Sequence, residues 1–553
     1  MPRSPSITFW KIWANPIFRR YCQSRLRPRG LGFTLLITLI LAAFLFFIFR
    51  FNAIYNINID LIDAERAPII PLLFLQGVIL FLLGTGQVAG GMTAESDEGV
   101  LDYQRLAPMS PLAKVVGYLF GLPIREYVCF AATMPFTLWA LWRGMVEWQI
   151  AAQLYLVFLS SAILYHLTGL VAGTVIKNKR WAFLASMGLV FLLYTVMPQV
   201  SNFGLAYFRH LTLYPVFEEY LAFILPRDQG ALILAGRSLL GVTRFFDLNL
   251  SETFVTLFSQ GILSATLVSM LCRRWRRAES HLLGKIWATV LFAWIQIALL
   301  GNALPLIRPG QIFPSNEFNR RFVAGGLREN WSPEPAEVIA MAGTVGFVSL
   351  AILWTFTAII TPNKFTQLNG WRRARKKGRS SLGVASDPAT ALPWVAFMTA
   401  CGAAGWILFT RAIVESRWFP GTEISPITTI AFILVFFTGG IGFQTLLESK
   451  GARTTVLVAI LLGVVPLLLG SVLATISAKL TALATPAIWI IALSPVAAPS
   501  YAAITTLDIV NLPLVIARAL PNAFWFSQGI AALITLYLLT HLRHSRRTIK
   551  NEA

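Results

Sequence analysis

Twelve stretches of this sequence stay apolar for the length of a bilayer crossing, and no other feature so narrows what the chain can become. A hydrocarbon core about 30 Å thick requires roughly 20 apolar residues per helix. That length test selects 31–50, 68–88, 123–142, 149–173, 181–198, 252–271, 286–307, 337–361, 391–410, 426–447, 454–475 and 521–541. Lipid offers no partner to a backbone N–H or C=O, so such runs are helical. Composition points the same way. Of 553 residues 56% are hydrophobic and 13% charged, whereas soluble domains carry about 25% charged residues. The expected fold is an all-α polytopic membrane protein of about 12 transmembrane helices. Two further stretches, 199–251 and 476–520, are apolar only in pieces and interrupted by Pro215, Pro226, Pro486, Pro495, Pro499 and Pro513. They are expected to be broken or re-entrant on the outer side, where protein or water covers their backbone.

The charges orient the spans. With a cytoplasmic N-terminus, the inner segments hold 30 basic and 8 acidic residues and the outer ones 14 and 16. Such an excess is what the positive-inside rule demands. The net charge of +21 is then mainly a topological signal, and nucleic acid is not an expected partner. Both termini are expected to be cytoplasmic in a multi-pass protein of the cell (inner) membrane. The basic first 30 residues precede a span-length apolar run without a small-residue cleavage signal, so that run is read as a retained span. Arg372, Arg373, Arg375, Lys376, Lys377 and Arg379 form a juxtamembrane basic cluster of the kind that orients helices and touches anionic lipid.

Familiar catalytic patterns are missing. Cys22, Cys129, Cys272 and Cys401 lie far apart with no CxxC pair. The only Gly-Lys, Gly284-Lys285, is followed by Ile286, so there is no P-loop to hydrolyse ATP. His166, His210, His281, His541 and His544 show no metal-ligand spacing, and no metal site is expected.

The loop after the second span is unusual. Glu95, Asp97, Glu98 and Asp102 place four carboxylates on a side that is otherwise strongly basic. Gly99 permits a turn, Leu101 to Leu106 form a short helix, and Pro108 and Pro111 end it. Acidic turn, short helix, Pro-x-Ser and entry into the next span resemble the first cytoplasmic loop of ABC-2-type ABC transporter permeases. There the pattern reads roughly E-x-x-x-G-T-L-E-x-L-L-x-x-P-L-S, then G-K. Glu95, Gly99, Leu101, Asp102, Pro108 and Ser110 match or nearly match; Val100 stands for Thr, Arg105 replaces an apolar residue, and Gly117 is followed by Tyr118 where the family has Lys. A second likeness is Asn15-Pro16-Ile17-Phe18-Arg19-Arg20. Asn15 suits a cap, Pro16 a first helical turn, and Ile17 and Tyr21 share an apolar face.

The resemblance covers 1–277 best. It implies a cytoplasmic amphipathic interfacial segment over 1–30, a first six-span half over 31–277 and a more weakly similar second half over 278–553. Phe436-Phe437-Thr438-Gly439-Gly440 leading to Glu448-Ser449-Lys450-Gly451 is similar to Phe81 to Gly99, which suggests a diverged duplication. It further implies an ATP-driven exporter subunit that binds no cofactor itself and whose partner, a separate ABC ATPase, hydrolyses ATP. The ATPase-coupling loop would be Glu95, Asp97, Glu98, Gly99, Leu101, Asp102 and Pro108. Glu448, Lys450 and Gly451 would make a second coupling turn, and Tyr214, Pro215, Glu218 and Glu219 an exit gate. Whether one chain or two form the pore stays open. Two alternatives compete: an ion-coupled secondary transporter, which calls for titratable groups near mid-span, and a membrane enzyme acting on lipid-linked substrates. The only stretch offering the latter a charge cluster is 308–336, with Arg308, Glu317, Arg320, Arg321, Arg328, Glu329 and Glu334.

Overall fold

Asparagine, serine and proline stand where the apolar runs begin, and they set the helix starts. The computed structural model describes residues 12–55, 60–227, 229, 242–277, 280–315, 331–510 and 512–553. Glu317, Arg320, Arg321, Arg328 and Glu329 lie outside the described residues, as do residues 1–11. Helix α1 (Pro16–Arg25) opens at Asn15, whose Oδ1 accepts the Ile17 N–H at 3.0 Å, with Pro16 in the first turn. Asn178, Ser251, Asn363 and Ser425 cap later helices in the same way.

The chain divides into two compact units. The first, residues 1–199, 208–243 and 249–278, holds α1, α2 (Pro28–Tyr55), α3 (Leu61–Asp97), the short α4 (Val100–Leu106), α5 (Pro111–Gly121), α6 (Ile124–Arg143), α7 (Trp148–Val175), α8 (Lys179–Thr195), α9 (Tyr214–Ile224) and α10 (Glu252–Arg276). One apolar core centres on Phe81, whose ring lies 4.4 Å from Phe158 and 5.2 Å from Tyr165. A second apolar cluster joins Ile17 and Tyr21 of α1 to Val88, Leu101, Leu119, Leu170 and Trp275.

The second unit, residues 200–207, 244–248 and 279–553, holds α11 (Lys285–Ile307), α12 (Pro335–Ile360), α13 (Lys364–Lys376), α14 (Leu392–Val414), α15 (Pro426–Lys450), α16 (Ala452–Ser477), α17 (Ala484–Ala492), α18 (Ala498–Thr506) and α19 (Leu514–Glu552). Trp406 is its pivot. The indole stacks on Phe432 at 3.6 Å and donates to the Ala342 carbonyl at 2.7 Å.

The architecture is that of an all-α multi-pass membrane protein. Among the described residues ten helices are long and apolar enough to cross a bilayer, and α5 with α6, bent by 52°, makes an eleventh if the pair is one span. The twelve expected runs all fall on helices, and two of them differ from expectation in extent. The run 181–198 becomes α8, only 17 residues long and stopped at Thr195 ahead of Met197-Pro198. Ahead of the run 123–142, Pro111 starts a helix of its own, and the chain bends at Leu122-Pro123 before α6. Likewise α3 continues to Asp97 instead of ending at 88, because nothing before Gly99 breaks it. The stretch 476–520 contains the two nine-residue helices α17 and α18, as its prolines dictate.

Among the described residues three spans contain a π-helical segment: Val78–Gly84 in α3, Phe437–Ile441 in α15 and Ala459–Val464 in α16. A π turn fits an extra residue into the helix and disturbs its carbonyl ladder. In each case a side chain from elsewhere in the same unit reaches a carbonyl of the segment. His166 Nε2 lies 3.0 Å from Leu80 O, Trp354 Nε1 donates to Gly439 O at 2.9 Å, and Ser494 Oγ donates to Gly463 O at 2.6 Å. A carbonyl only accepts, so His166 carries its proton on Nε2, and Nδ1 accepts from Tyr127 Oη at 3.0 Å. His166→Leu should therefore lower the stability of the purified protein by roughly 1–3 kcal/mol, the cost of leaving a buried acceptor unpaired. Thermal unfolding in detergent measures it, and an unchanged transition would show the cap to be dispensable.

Candidate functional site

The acidic segment folds as an elbow. The Gly99 N–H donates to Ser96 O at 3.2 Å, and Gly99 itself sits at φ 72°, a left-handed conformation that a glycine adopts without strain. Seven residues of α4 follow, then Ala107 in extended conformation ahead of Pro108, then Ser110, whose Oγ caps α5 by accepting the Ala113 N–H. Lys114 closes the far end of α4: its Nζ donates to Gln104 O at 2.5 Å and Ala107 O at 3.2 Å, which places a cation on the negative pole of that short helix.

Glu95 anchors the elbow from inside. Its Oε1 accepts from Arg20 and from the Tyr21 hydroxyl, and its Oε2 accepts from the Tyr118 hydroxyl and, at 3.5 Å, from Gln104 Nε2. One carboxylate thus joins α1, α3, α4 and α5. Burial, with the Glu95 charge beside it, pushes the Tyr21 phenol well above its ordinary range, so it serves as a neutral donor. Glu95 is largely buried, and its oxygens are occupied within the protein.

Glycine brings α1 close to α5. A Cβ at Gly117 would stand 2.8 Å from Asn15 Oδ1 and 2.9 Å from Ile17 Cβ, and one at Gly121 2.9 Å from Tyr21 Cδ2. Asn15 Nδ2 also donates to Ala113 O at 2.6 Å. The elbow is held against a preformed bracket. What it presents to solvent is Asp97, Glu98 and Asp102, with Tyr103 77% and Leu106 84% exposed. Asp102 pairs with Arg105 one turn on. Leu101, by contrast, is buried in the inner apolar cluster. Tyr103 and Leu106 carry no sequence signal of their own, because exposure of an apolar residue depends on which face of α4 the bracket covers.

The remaining expected residues fall elsewhere. Tyr214, Pro215, Glu218 and Glu219 lie on α9, which packs near the start of α7, where Tyr220 donates to Gln153 Oε1. The elbow adjoins the far end of α7, where Thr93 Oγ1 donates to Gly173 O. Twenty residues of α7, about 30 Å, separate the two regions. Glu219 is half-buried, and burial, with the Glu252 carboxylate nearby, raises it to about pH 7. Glu252 itself accepts from Arg209 at 2.8 Å. In the second unit, Glu448 is buried near the end of α15, just before the turn at Gly451. Its side chain is 1% exposed, held bidentately by Arg546 Nε and Nη2, both at 2.9 Å, and by Gln444 at 2.5 Å. Gly451 does turn the chain, at φ 83°, beside the exposed Lys450. Arg125 and Glu126 pair with each other at 2.9 Å.

No protein-family profile, curated protein or solved structure matches this chain.

Two outcomes follow from this geometry. Glu95→Ala leaves two buried phenols and Arg20 without their common acceptor, and should destabilise the first unit by about 1–3 kcal/mol while Asp97→Ala costs under about 0.5; thermal unfolding of the two variants compares them. A carboxylate whose folded value is raised contributes stability that is full below its ordinary value and is lost as pH rises through about 7. Glu219→Gln should therefore match wild type at pH 4 and exceed it at pH 8, by on the order of 1 kcal/mol after discounting for exposure. Equal stability at both values would refute the assignment.

Proposed function

We propose that this chain is the membrane-spanning subunit of an ATP-driven exporter of the ABC-2 type, and that α4 is where a separate ATPase subunit engages it. The observation that supports this reading is the elbow: a seven-residue helix, isolated by Gly99 and Pro108, backed by a rigid bracket and offering three acids around two exposed apolar side chains. A solvated loop has no need of that bracket. A lever does, because force applied to α4 passes through Glu95 to α1 and α5, and from α5 into α6 across the bend at Pro123. Asp97, Glu98 and Asp102 meet basic residues of the ATPase, and Tyr103 and Leu106 enter an apolar recess on it.

In this reading the basic-rich side is cytoplasmic, both termini lie there, and the membrane is the cell (inner) membrane. ATP stays with the partner, and this chain binds no cofactor. The cargo is lipid, drug-like or glycan in class, in keeping with a wall of Phe, Leu and Trp. The polar groups inside the first unit give little support to ion coupling. Gln76 donates to Thr133 and Thr137 at 3.0 Å and accepts from Tyr155 at 2.7 Å, and His166 has a partner on each nitrogen. Such saturated groups rigidify a bundle better than they carry a cation.

The test is co-purification with a P-loop ATPase encoded by a neighbouring reading frame, and ATP-dependent transport in membrane vesicles. Reversing Asp97, Glu98 and Asp102 to Lys, or Leu106→Asp alone, should lower ATPase retention at least about tenfold, the scale of one lost interface anchor. Fold and membrane insertion should be unaffected. Full retention and transport in both variants would overturn the coupling role.

A further inference from the structure

The second unit carries a cationic deck. Helix α13 begins three residues after α12 ends, with Asn363 as its cap, and lies on the tail of α19. Lys364 pairs with Glu552 at 3.4 Å, Arg375 donates to Lys550 O at 2.5 Å, and the Lys550 ammonium sits 5.2 Å from the Trp371 ring centroid. The face of α13 turned to the protein is Gln367, Gly370 and Ala374. Phe365, Arg372 and Lys376, spaced seven and four apart, make the opposite ridge. Phe365 is 64% exposed, and Lys377 and Arg379 extend the exposed cations past the end of the helix. From α19, Arg543 and Arg547 add two more.

Depth is given by Glu448. The apolar helices α15 and α16 are joined by Gly451 alone, so the edge of the hydrocarbon layer on this side runs through that turn. Arg546 binds Glu448, and Gln367 of α13 donates to the same carboxylate at 3.3 Å. Residues 547–552, where α13 crosses α19, are then within two turns beyond that edge, about 2–9 Å at 1.5 Å per residue. That is headgroup depth. Two of the acids beside the deck are paired within the protein, Glu448 with Arg546 and Glu552 with Lys364.

We propose that the deck formed by α13 and the end of α19 binds the headgroups of anionic phospholipids. The cations meet the phosphates, and Phe365 enters the acyl boundary beside them. A protein partner fits less well, because the deck lies at headgroup depth, against the bilayer edge, and does not project into water. The inference is independent of the exporter reading, since its readout is lipid binding.

The test uses the full-length chain in detergent, titrated with phosphatidylglycerol or phosphatidylcholine and followed by native mass spectrometry. The wild type should prefer phosphatidylglycerol, and R372Q/K376Q/K377Q/R379Q should weaken that binding at least about tenfold with phosphatidylcholine unchanged. Unchanged phosphatidylglycerol binding would overturn the proposal, as would an equal loss for both lipids, which marks damaged packing. Loss of ATPase retention with lipid binding intact would assign the deck to protein and overturn it too. If the fourfold variant does not fold, wild type in rising NaCl decides: the preference should fade by 0.5 M through screening, and a salt-independent preference refutes it.

Discussion

A backbone carbonyl set free inside a bilayer has no water to turn to, and much of this protein is arranged around that fact. Its long spans are not uniform rods. Three of them widen into π turns, and at each one a donor from a neighbouring segment, an imidazole, an indole or a hydroxyl, lies on one of the turn's carbonyls. Such a donor fixes the rotation of one helix against its neighbour, because it is in reach at only one register. In the first unit, His166 and Phe81 lock α3 to α7 in this way, and Thr93 and Gly173 carry the same contact toward the elbow.

At the end of α3 the same economy of partners is expressed in charge. Glu95 and, in the second unit, Glu448 each close a π-interrupted span with a buried carboxylate, and each is met by an arginine from a terminal helix: Arg20 from α1, Arg546 from α19. A lysine lies close by in both, Lys114 on the carbonyls of α4 and Lys285 on Ser386 O at 2.7 Å and Ala389 O at 2.5 Å. The likeness of Phe436–Gly451 to Phe81–Gly99 thus has a structural counterpart in what the two glutamates do. Glu95 is the tie rod of the bracket, and Asp97, Glu98 and Asp102 are the acids it leaves outside.

The deck on α13 belongs to the same scheme, since its buried face is fastened to Glu448 through Gln367 while its cations are turned outward. Fastening and presentation come from one helix. Gly370 permits the close fit, a Cβ there standing 2.2 Å from Pro388 Cβ, and the exposed ridge opposite is free to meet another phase.

Much of this was legible in the chain itself. Apolar length and the absence of water in lipid determined an all-α multi-pass protein, and Asn15-Pro16 and Gly99 determined where α1 and α4 begin, because capping and φ preferences are local. Gly117 was visible as a motif residue, though its reason, the approach of Ile17, was not. Three things only the tertiary structure decided. The extent of the long spans was one, because a helix runs until something breaks it, not until its hydropathy fades. The fates of Glu95 and Glu448 were set by Arg20 and Arg546, 75 and 98 residues away. The exposure of Tyr103, Leu106 and Phe365 was set by which face of a short helix its neighbours cover, and such pairings arise from contacts between distant segments that no local pattern encodes.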